Sequence, residues 1–359
     1  MARIFAFGAG LVGSYICDQL GRQGHEVTAV ALGHSNVPLL ASVRRELHFE
    51  ILEMDAFSFL KSNNLKQYDL VLNLLPGRIG DSIRADLISN GLNVCDLAFS
   101  DISPQCHAEL ADFNGATMLH DCGIAPGVSN MVVASEQIGK PPLSSIKIRV
   151  GGNPVERDDE WSYCAPFSPT DVIEEYTRPA RIRQNGHVIE IPAISDRHTL
   201  VADGHGEMEA FLTDGLRSLL ENPEVTSQSL SEYTVRWPGH IDKFLQLRAK
   251  GEIDEAALVE AWKYRVERTE FTYMDITIEK QDGGKTIWTF DIPGIDVDAG
   301  RLWPSMAVAT GIPFIVGCEA LLDGRITGIQ SPDEYYSDLD EIVQRLKDAG
   351  AIISREESE

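Results

Sequence analysis

Gly8, Gly10 and Gly13 stand in G-x-G-x-x-G spacing between the apolar run Ile4-Phe5-Ala6-Phe7 and a helix-periodic segment from Leu11 to Leu20. Each glycine has its own task in such a turn. Gly8 permits the tight reversal, Gly10 lets the backbone approach a pyrophosphate, and Gly13 lets helix and strand pack closely. A diphosphate would then rest at the helix N-terminus, on N–H groups around Leu11 and Val12, where the dipole favours negative charge. The implied chemistry is dinucleotide binding, with a purely structural glycine turn as the alternative.

The rest of a dinucleotide site can be followed along the chain. A ribose-binding acid is expected ~20 residues after the turn, at the end of the second strand. That strand ends Ala31-Leu32-Gly33-His34-Ser35, with no acid. A carboxylate would repel a 2′-phosphate, whereas His34 and Ser35 could hydrogen-bond one, so the pattern favours NADP over NAD. Asp55, closing the third strand, is placed either to contact adenine or to cap the next helix. Leu74, Leu75 and Pro76 end the fourth strand where a nicotinamide ribose would pass. The fifth ends Cys95-Asp96-Leu97-Ala98-Phe99, putting Ala98 near the cofactor and Asp96 where it could orient substrate, accept a proton or cap a turn.

Further chemistry-bearing groups follow. His120-Asp121-Cys122-Gly123-Ile124-Ala125-Pro126-Gly127 reads as an irregular hinge, with Asp121 a second candidate base. Trp161, Tyr163 and the stretch Glu174-Glu175-Tyr176-Thr177-Arg178-Pro179-Ala180-Arg181 supply aromatic and guanidinium groups. Val235-Arg236-Trp237-Pro238-Gly239-His240 sets an arginine and a third candidate base, His240, around a sharp turn. Arginine suits bidentate recognition of a carboxylate, although each arginine taken singly reads first as a surface or structural residue.

The elements that must position these groups form two patterns. Through residue 120, apolar strands (Ile4–Phe7, Glu26–Leu32, Phe49–Met54, Leu70–Leu74, Leu92–Cys95, Thr117–Leu119) alternate with helical stretches. Those stretches are Leu11–Arg22, Pro38–Glu46, Phe57–Lys61, Gly80–Ser89 and Pro104–Phe113. Six β-α repeats opened by a glycine fingerprint predict a doubly wound parallel sheet of the Rossmann type, with ligand at the strands' carboxyl ends. From about residue 128 alternating apolar segments and hairpin-turn chemistry at Asn185-Gly186 predict an α+β domain with a mostly antiparallel sheet. The strands there are Ile146–Val150, Ala180–Arg183, Val188–Ile191, Met208–Phe211, Phe271–Ile278 and Thr286–Ile292, with helices near Pro169–Tyr176, His240–Lys250 and Glu255–Arg265. The resulting division is 1–127 and 128–302, with 303–359, including an apolar helix Ser305–Leu322, expected to return to the first domain. The acidic end, Arg355 to Glu359, is expected to fray.

Composition limits the partners. A net charge of −24 excludes nucleic acid and anionic membranes as natural partners. No apolar run reaches the ~20 residues that span a bilayer, and the N-terminal pattern is not that of an export signal. A cytoplasmic protein is expected. The six cysteines show no C-x-x-C and no metal-ligand spacing beside a histidine, so reduced packed thiols are expected and no metal site.

Taken in order, the glycine turn, Asn73–Pro76 and Asp121–Asn130 precede Phe167-Ser168-Pro169 and Glu174–Ala180. Glu207-Met208-Glu209-Ala210-Phe211, Thr213-Asp214-Gly215-Leu216, Arg236-Trp237-Pro238-Gly239-His240 and Thr310-Gly311-Ile312-Pro313 follow. This series resembles the saccharopine dehydrogenase superfamily, and within it the lysine 6-dehydrogenase-like branch. The resemblance implies a Rossmann domain completed by C-terminal helices, a second domain that covers the cleft and often mediates dimerisation, and oxidation at a carbon–nitrogen bond of a lysine-type amino acid. The chain departs from it twice. It lacks the acid after the second strand that suits NAD, and it has Ala125 where saccharopine-forming relatives commonly have an acid.

The leading expectation is an NAD(P)-dependent dehydrogenase that takes hydride from the ε-carbon of L-lysine, giving an imine that water converts to the semialdehyde. Asp96, Asp121 or His240 would accept the amine proton, Arg236 or Arg178 would hold the α-carboxylate, and Tyr176 would shape the alkyl channel. A reductive condensing enzyme, of the saccharopine reductase or carboxy-polyamine synthase kind, is the alternative. It would need a second carboxylate clamp, for which Arg149, Arg181 and Arg183 are available. A non-catalytic NADP(H)-binding sensor is the reading from another class.

Overall fold

The computed structural model describes residues 1–32 and 46–358. They fall into two compact units: Met1–Val132 with Ala307–Arg345, and Val133–Met306 with Leu346–Glu359. His34 and Ser35 lie outside the described residues, as does most of the expected helix Pro38–Glu46.

The first unit is built on a seven-stranded, wholly parallel sheet. Its strands are Arg3–Phe7 (β1), Glu26–Ala31 (β2), Glu50–Glu53 (β3), Leu70–Asn73 (β4), Asn93–Asp96 (β5) and Thr117–His120 (β6), with the late strand Ile329–Gln330 (β15). The order is β15-β6-β5-β4-β1-β2-β3, the doubly wound arrangement expected. Ile4 to Phe7 are fully buried, which is why this strand reads as a continuous apolar run rather than an alternation. Phe5 and Phe7 join Phe59, Val71, Ile83, Leu87, Val94 and Met118 in one core, with Phe5 stacked on Phe59 at 4.3 Å. On Tyr15 and Leu119 lies the helix Ser305–Leu322. A Cβ at its Gly311 would come within 2.3 Å of Tyr15, and one at Gly317 within 2.6 Å of Leu119, so both glycines are required by close approach. This helix is apolar enough to cross a membrane by composition (hydropathy 1.7), but 83% of it is buried in the structure.

The second unit carries Leu143–Pro154 (β7), Ala180–Gln184 (β8), His187–Ile191 (β9), His198–Ala202 (β10), Gly206–Leu212 (β11), Ser229–Arg236 (β12), Glu270–Lys280 (β13), Lys285–Pro293 (β14) and Ile352–Ser358 (β16). The main order is β10-β11-β12-β7-β13-β14-β16, and β8 joins β12 and β9 at the side. Every pairing is antiparallel except that of β7 with β12. Asn185 and Gly186 both take positive φ (50° and 79°), the geometry of a two-residue hairpin turn.

Four strands, β10, β12, β15 and β16, have no counterpart among the expected segments, and β12 is central. β12 has the sequence Ser-Leu-Ser-Glu-Tyr-Thr-Val-Arg, yet seven of its eight residues are buried. Polar side chains occupy its inward positions, so hydropathy conceals it. The acidic end is the second correction. Residues 352–358 do not fray or return to the first sheet, because they pair with β14 along seven residues, Asp291↔Ile352 to Lys285↔Ser358. Arg355 anchors them by donating to Glu136 at 2.8 Å.

Candidate functional site

The first unit presents a cradle at the end of β1. Gly8 has φ +102°, and a Cβ there would stand 2.7 Å from the Leu74 carbonyl oxygen. A Cβ on Gly13 would come within 3.1 Å of the Gly8 oxygen and 3.4 Å of Leu74 Cδ1. At Gly10, by contrast, none of the described residues lies within 4 Å of where a Cβ would be. The helix Leu11–Arg22 has Gly10 as its N-cap, which makes no side-chain capping bond. Its first internal bond runs from Ser14 N to Gly10 O at 2.9 Å, which leaves the N–H groups of Leu11, Val12 and Gly13 directed out of the helix end. Open space over such N–H groups fits a diphosphate. Beyond β2, Leu32 is 74% exposed where an acid would meet a ribose. Asp55 caps the helix Ala56–Ser62, accepting from Ser58 N at 2.9 Å, the second of its two expected roles.

Asp96 is fully buried and saturated. Oδ2 accepts from Asn73 Nδ2 and Arg84 Nε, each at 2.8 Å, and Oδ1 from Ala98 N at 2.7 Å and Arg84 Nη2 at 3.2 Å. Arg84 is equally buried and also donates to the Ala98 carbonyl. Burial opposes its charge, but Asp96 outweighs that and holds the guanidinium ionised. Asp96 is therefore a positioning residue for Leu74–Pro76 and the 97–100 loop, and no lone pair faces a substrate proton. Asp121 sits at φ +57° after β6, and its Oδ2 meets His120 Nδ1 at 3.1 Å. The other ring nitrogen, His120 Nε2, is buried with no hydrogen-bond partner among the described residues. A carboxylate on Nδ1 leaves Nε2 as the acceptor.

The second unit gathers Tyr163, Tyr176, Arg236 and His240 into one buried group. Arg236 Nε donates to Tyr176 Oη at 2.9 Å, and its guanidinium lies 4.4 Å from the Tyr163 ring centre. Tyr176 Oη in turn meets His240 Nε2 at 3.0 Å, while His240 Nδ1 meets the Trp161 carbonyl at 3.0 Å. A carbonyl can only accept, so Nδ1 carries the proton and Nε2 receives the phenol's. Burial, then the Arg236 charge, push the His240 pKa down to about 3. His240 is thus a neutral, fully engaged support for Tyr176 and not a base. Burial also raises the Tyr176 phenol to about 12.

Arg178, the expected substitute for Arg236, pairs with Asp214 at 3.4 Å. Arg181 grips the same carboxylate with Nε and Nη2, both at 3.0 Å. Arg183 donates to the carbonyls of Val225 and Leu219, and Arg149 to Asp275 at 2.9 and 2.5 Å. These four arginines are held by the fold. Arg236 differs, because the carboxylate beside it, Glu175, stays 3.8 Å away.

Several residues here escape sequence reasoning. Arg84, Glu175 and Glu232 act through burial and neighbours, and Glu232 lies on the concealed strand β12. Burial raises Glu175 to about 7 against the pull of Arg236 and Arg178. Burial, then the charges of Glu175 and Asp214, raise Glu232 to about 8.

A parallel sheet ending in a glycine turn and a mostly antiparallel second unit define a two-unit dehydrogenase-type fold. The saccharopine dehydrogenase C-terminal domain matches residues 123–351, more than half of the chain, and the chain belongs to the saccharopine dehydrogenase family of oxidoreductases. Its fold is similar to that of saccharopine dehydrogenase (L-Glu forming) from Saccharomyces cerevisiae, with a TM-score of 0.72, 16% identity and 100% of both chains covered. It is also similar to homospermidine synthase from Legionella pneumophila, solved in complex with NAD, with a TM-score of 0.66, 12% identity and 99% and 91% of the two chains covered. In sequence it is 25% identical over 143 residues to alpha-aminoadipic semialdehyde synthase of Arabidopsis thaliana. That match takes in 38% of this chain and only 13% of the plant protein.

Proposed function

We propose that the chain is an NAD(P)-dependent amino-acid dehydrogenase that oxidises the ε-amine carbon of L-lysine, or of a close analogue, to the semialdehyde. The carrying observation is Arg236, a buried guanidinium held by two phenols, with the carboxylate of Glu175 standing off at 3.8 Å rather than closing on it. Such a group favours an incoming carboxylate strongly, because burial makes an uncompensated charge costly. Gly8, Gly10, Gly13 and the N–H groups of Leu11 and Val12 would hold the coenzyme, with Leu74, Leu75, Pro76 and Ala98 beside it. The nicotinamide, when bound, supplies the hydride acceptor.

This chain's residues do the remaining work. Arg236 fixes the α-carboxylate, and Tyr163 and Tyr176 hold the guanidinium in place. The reacting amine must be neutral as hydride leaves, so its proton needs an acceptor. Of the three groups expected to accept it, Asp96 is saturated and His240 is engaged at both nitrogens. His120, whose Nε2 has no hydrogen-bond partner among the described residues while Asp121 meets its Nδ1, takes the role. The exposed Leu32, where an acid would exclude a 2′-phosphate, supports NADP as the preferred coenzyme.

Reductive condensation of an aldehyde with an amine is the second reading, favoured by the synthase names among the similar proteins. It requires a further carboxylate clamp, and Arg149, Arg181 and Arg183 are each committed elsewhere. Absorbance at 340 nm with NADP or NAD and an amino-acid panel separates the readings. The proposal expects lysine-dependent reduction, faster with NADP. NADPH consumption only with aldehyde and amine together would replace it with the second reading, and tight coenzyme binding without turnover would point to a sensor.

A further inference from the structure

On one face of β12 stand Glu232, Thr234 and Arg236, alternate residues that a strand must direct to the same side. Thr234 hydrogen-bonds to the Glu175 carboxyl, and its hydroxyl also meets Thr213 Oγ1 at 2.9 Å. Glu175 ends the helix Pro169–Glu175, keeps 23% of its side chain exposed, and lies 3.8 Å from Arg236 Nη2. Behind it Glu232 is 4% exposed. Its Oε1 occupies the space a Cβ on Gly215 would take, at 1.6 Å, and its Oε2 has no hydrogen-bond partner among the described residues. Asp214 is neutralised by Arg178 and Arg181. Among the described residues this leaves one guanidinium and two carboxyls side by side, none of them closed into a tight ion pair.

We infer that Arg236, Glu175 and Glu232 form a receptor for the zwitterionic head of an α-amino acid, Arg236 taking the carboxylate and Glu175, backed by Glu232, taking the α-ammonium. This rests on the reading of Arg236 given above and extends it from a carboxylate to a whole head group. A carboxylate and an ammonium on one carbon are neighbours, as Arg236 and Glu175 are. The spacing also explains why Glu175 does not close on Arg236 as an ordinary ion pair. A tight pair would leave neither charge available. Burial holds Glu175 and Glu232 partly protonated near neutrality, and an arriving ammonium is the charge that lets them ionise together. The site would reject plain diamines, which lack the carboxylate, and simple carboxylic acids, which lack the ammonium.

Calorimetric titration of the full chain, in excess NADPH, with L-norleucine, hexanoate and pentylamine tests this without requiring any reaction. L-norleucine has the head group and an alkyl tail, and the other two each lack one charge. One charge-assisted contact predicts L-norleucine binding about 10- to 100-fold more tightly than either. Glu175→Gln, which keeps the side-chain shape, should reduce the preference over hexanoate to near parity. Hexanoate binding as tightly as L-norleucine, no binding of either, or a Glu175→Gln variant with the preference intact would each overturn the inference. Lysine turnover is read separately. Selective L-norleucine binding without lysine oxidation would keep the receptor and sink the reaction, and equal oxidation of lysine and 6-aminohexanoate would do the reverse.

Discussion

Gly10 is a position where stability and binding come apart. Its backbone is compatible with alanine, and a Cβ there touches nothing among the described residues. Gly10→Ala should fold within about 1 kcal/mol of the parent, yet lose roughly tenfold in NADPH affinity, since the methyl stands where the phosphates must approach. Gly8→Ala should behave differently, destabilising by about 1–3 kcal/mol, because φ +102° and the Leu74 oxygen both oppose a side chain. Thermal unfolding and fluorescence titration of the two variants separate the effects, and unchanged NADPH affinity in Gly10→Ala would remove the coenzyme from this turn. Residues of this kind are legible in a sequence because spacing alone states their task. Arg236 stands out in the sequence as an arginine at a sharp turn, whereas its burial between two phenols does not. His240 was visible as a histidine, but its state was not, since that depends on a carbonyl 79 residues earlier in the chain. Glu175 and Glu232 acquire their character only from what burial does to them.

The helix Gly77–Ser89 shows how an element is pinned where the site needs it. Arg84 reaches from it to Asp96 at the end of β5, and Asn73 at the end of β4 joins the same carboxylate. Gly77 and Gly80 allow contact with the 97–100 loop, where a Cβ would strike the Phe99 oxygen at 1.7 Å or the Ala98 methyl at 2.2 Å. Replacing Arg84 with Met should cost about 3–5 kcal/mol, because Asp96 would remain as a buried, unpaired charge. Adding Asp96→Asn should recover much of that loss by removing the charge, and urea unfolding measures both. A double variant no more stable than Arg84→Met would show that the pair is not the fastening. β1, as a continuous apolar run, and the helix His240–Lys250, with its apolar positions at helical spacing, could be read directly. β12 could not, because a central strand that carries a polar site replaces its inward apolar residues with the site's own groups.

At the scale of the whole molecule, the buried glutamates set a pH dependence opposite to that of ordinary surface carboxylates. Glu175 and Glu270 titrate at about 7 and Glu232 at about 8 in the folded chain, all from an ordinary value of 4.5, and burial is the main cause for each. Between those values the folded state holds more protons than the unfolded one, so stability falls as pH rises through the window. Melting should therefore occur at a higher temperature at about pH 6 than at about pH 8, and Glu232→Gln should flatten the difference. A melting temperature that climbs over this range would contradict the assignment. The two-part architecture was readable from the change of pattern near residue 128, whereas the destination of the last residues was not, since an acidic tail gives no hydropathic sign of a strand. Because β16 completes the second sheet after the chain has returned to the first, the polypeptide crosses from one unit to the other three times, at 132/133, 306/307 and 345/346. Neither half is thus a contiguous cassette. A single proteolytic nick cannot release one intact, and any gene fusion meant to graft one onto another scaffold must carry two separate segments of the chain.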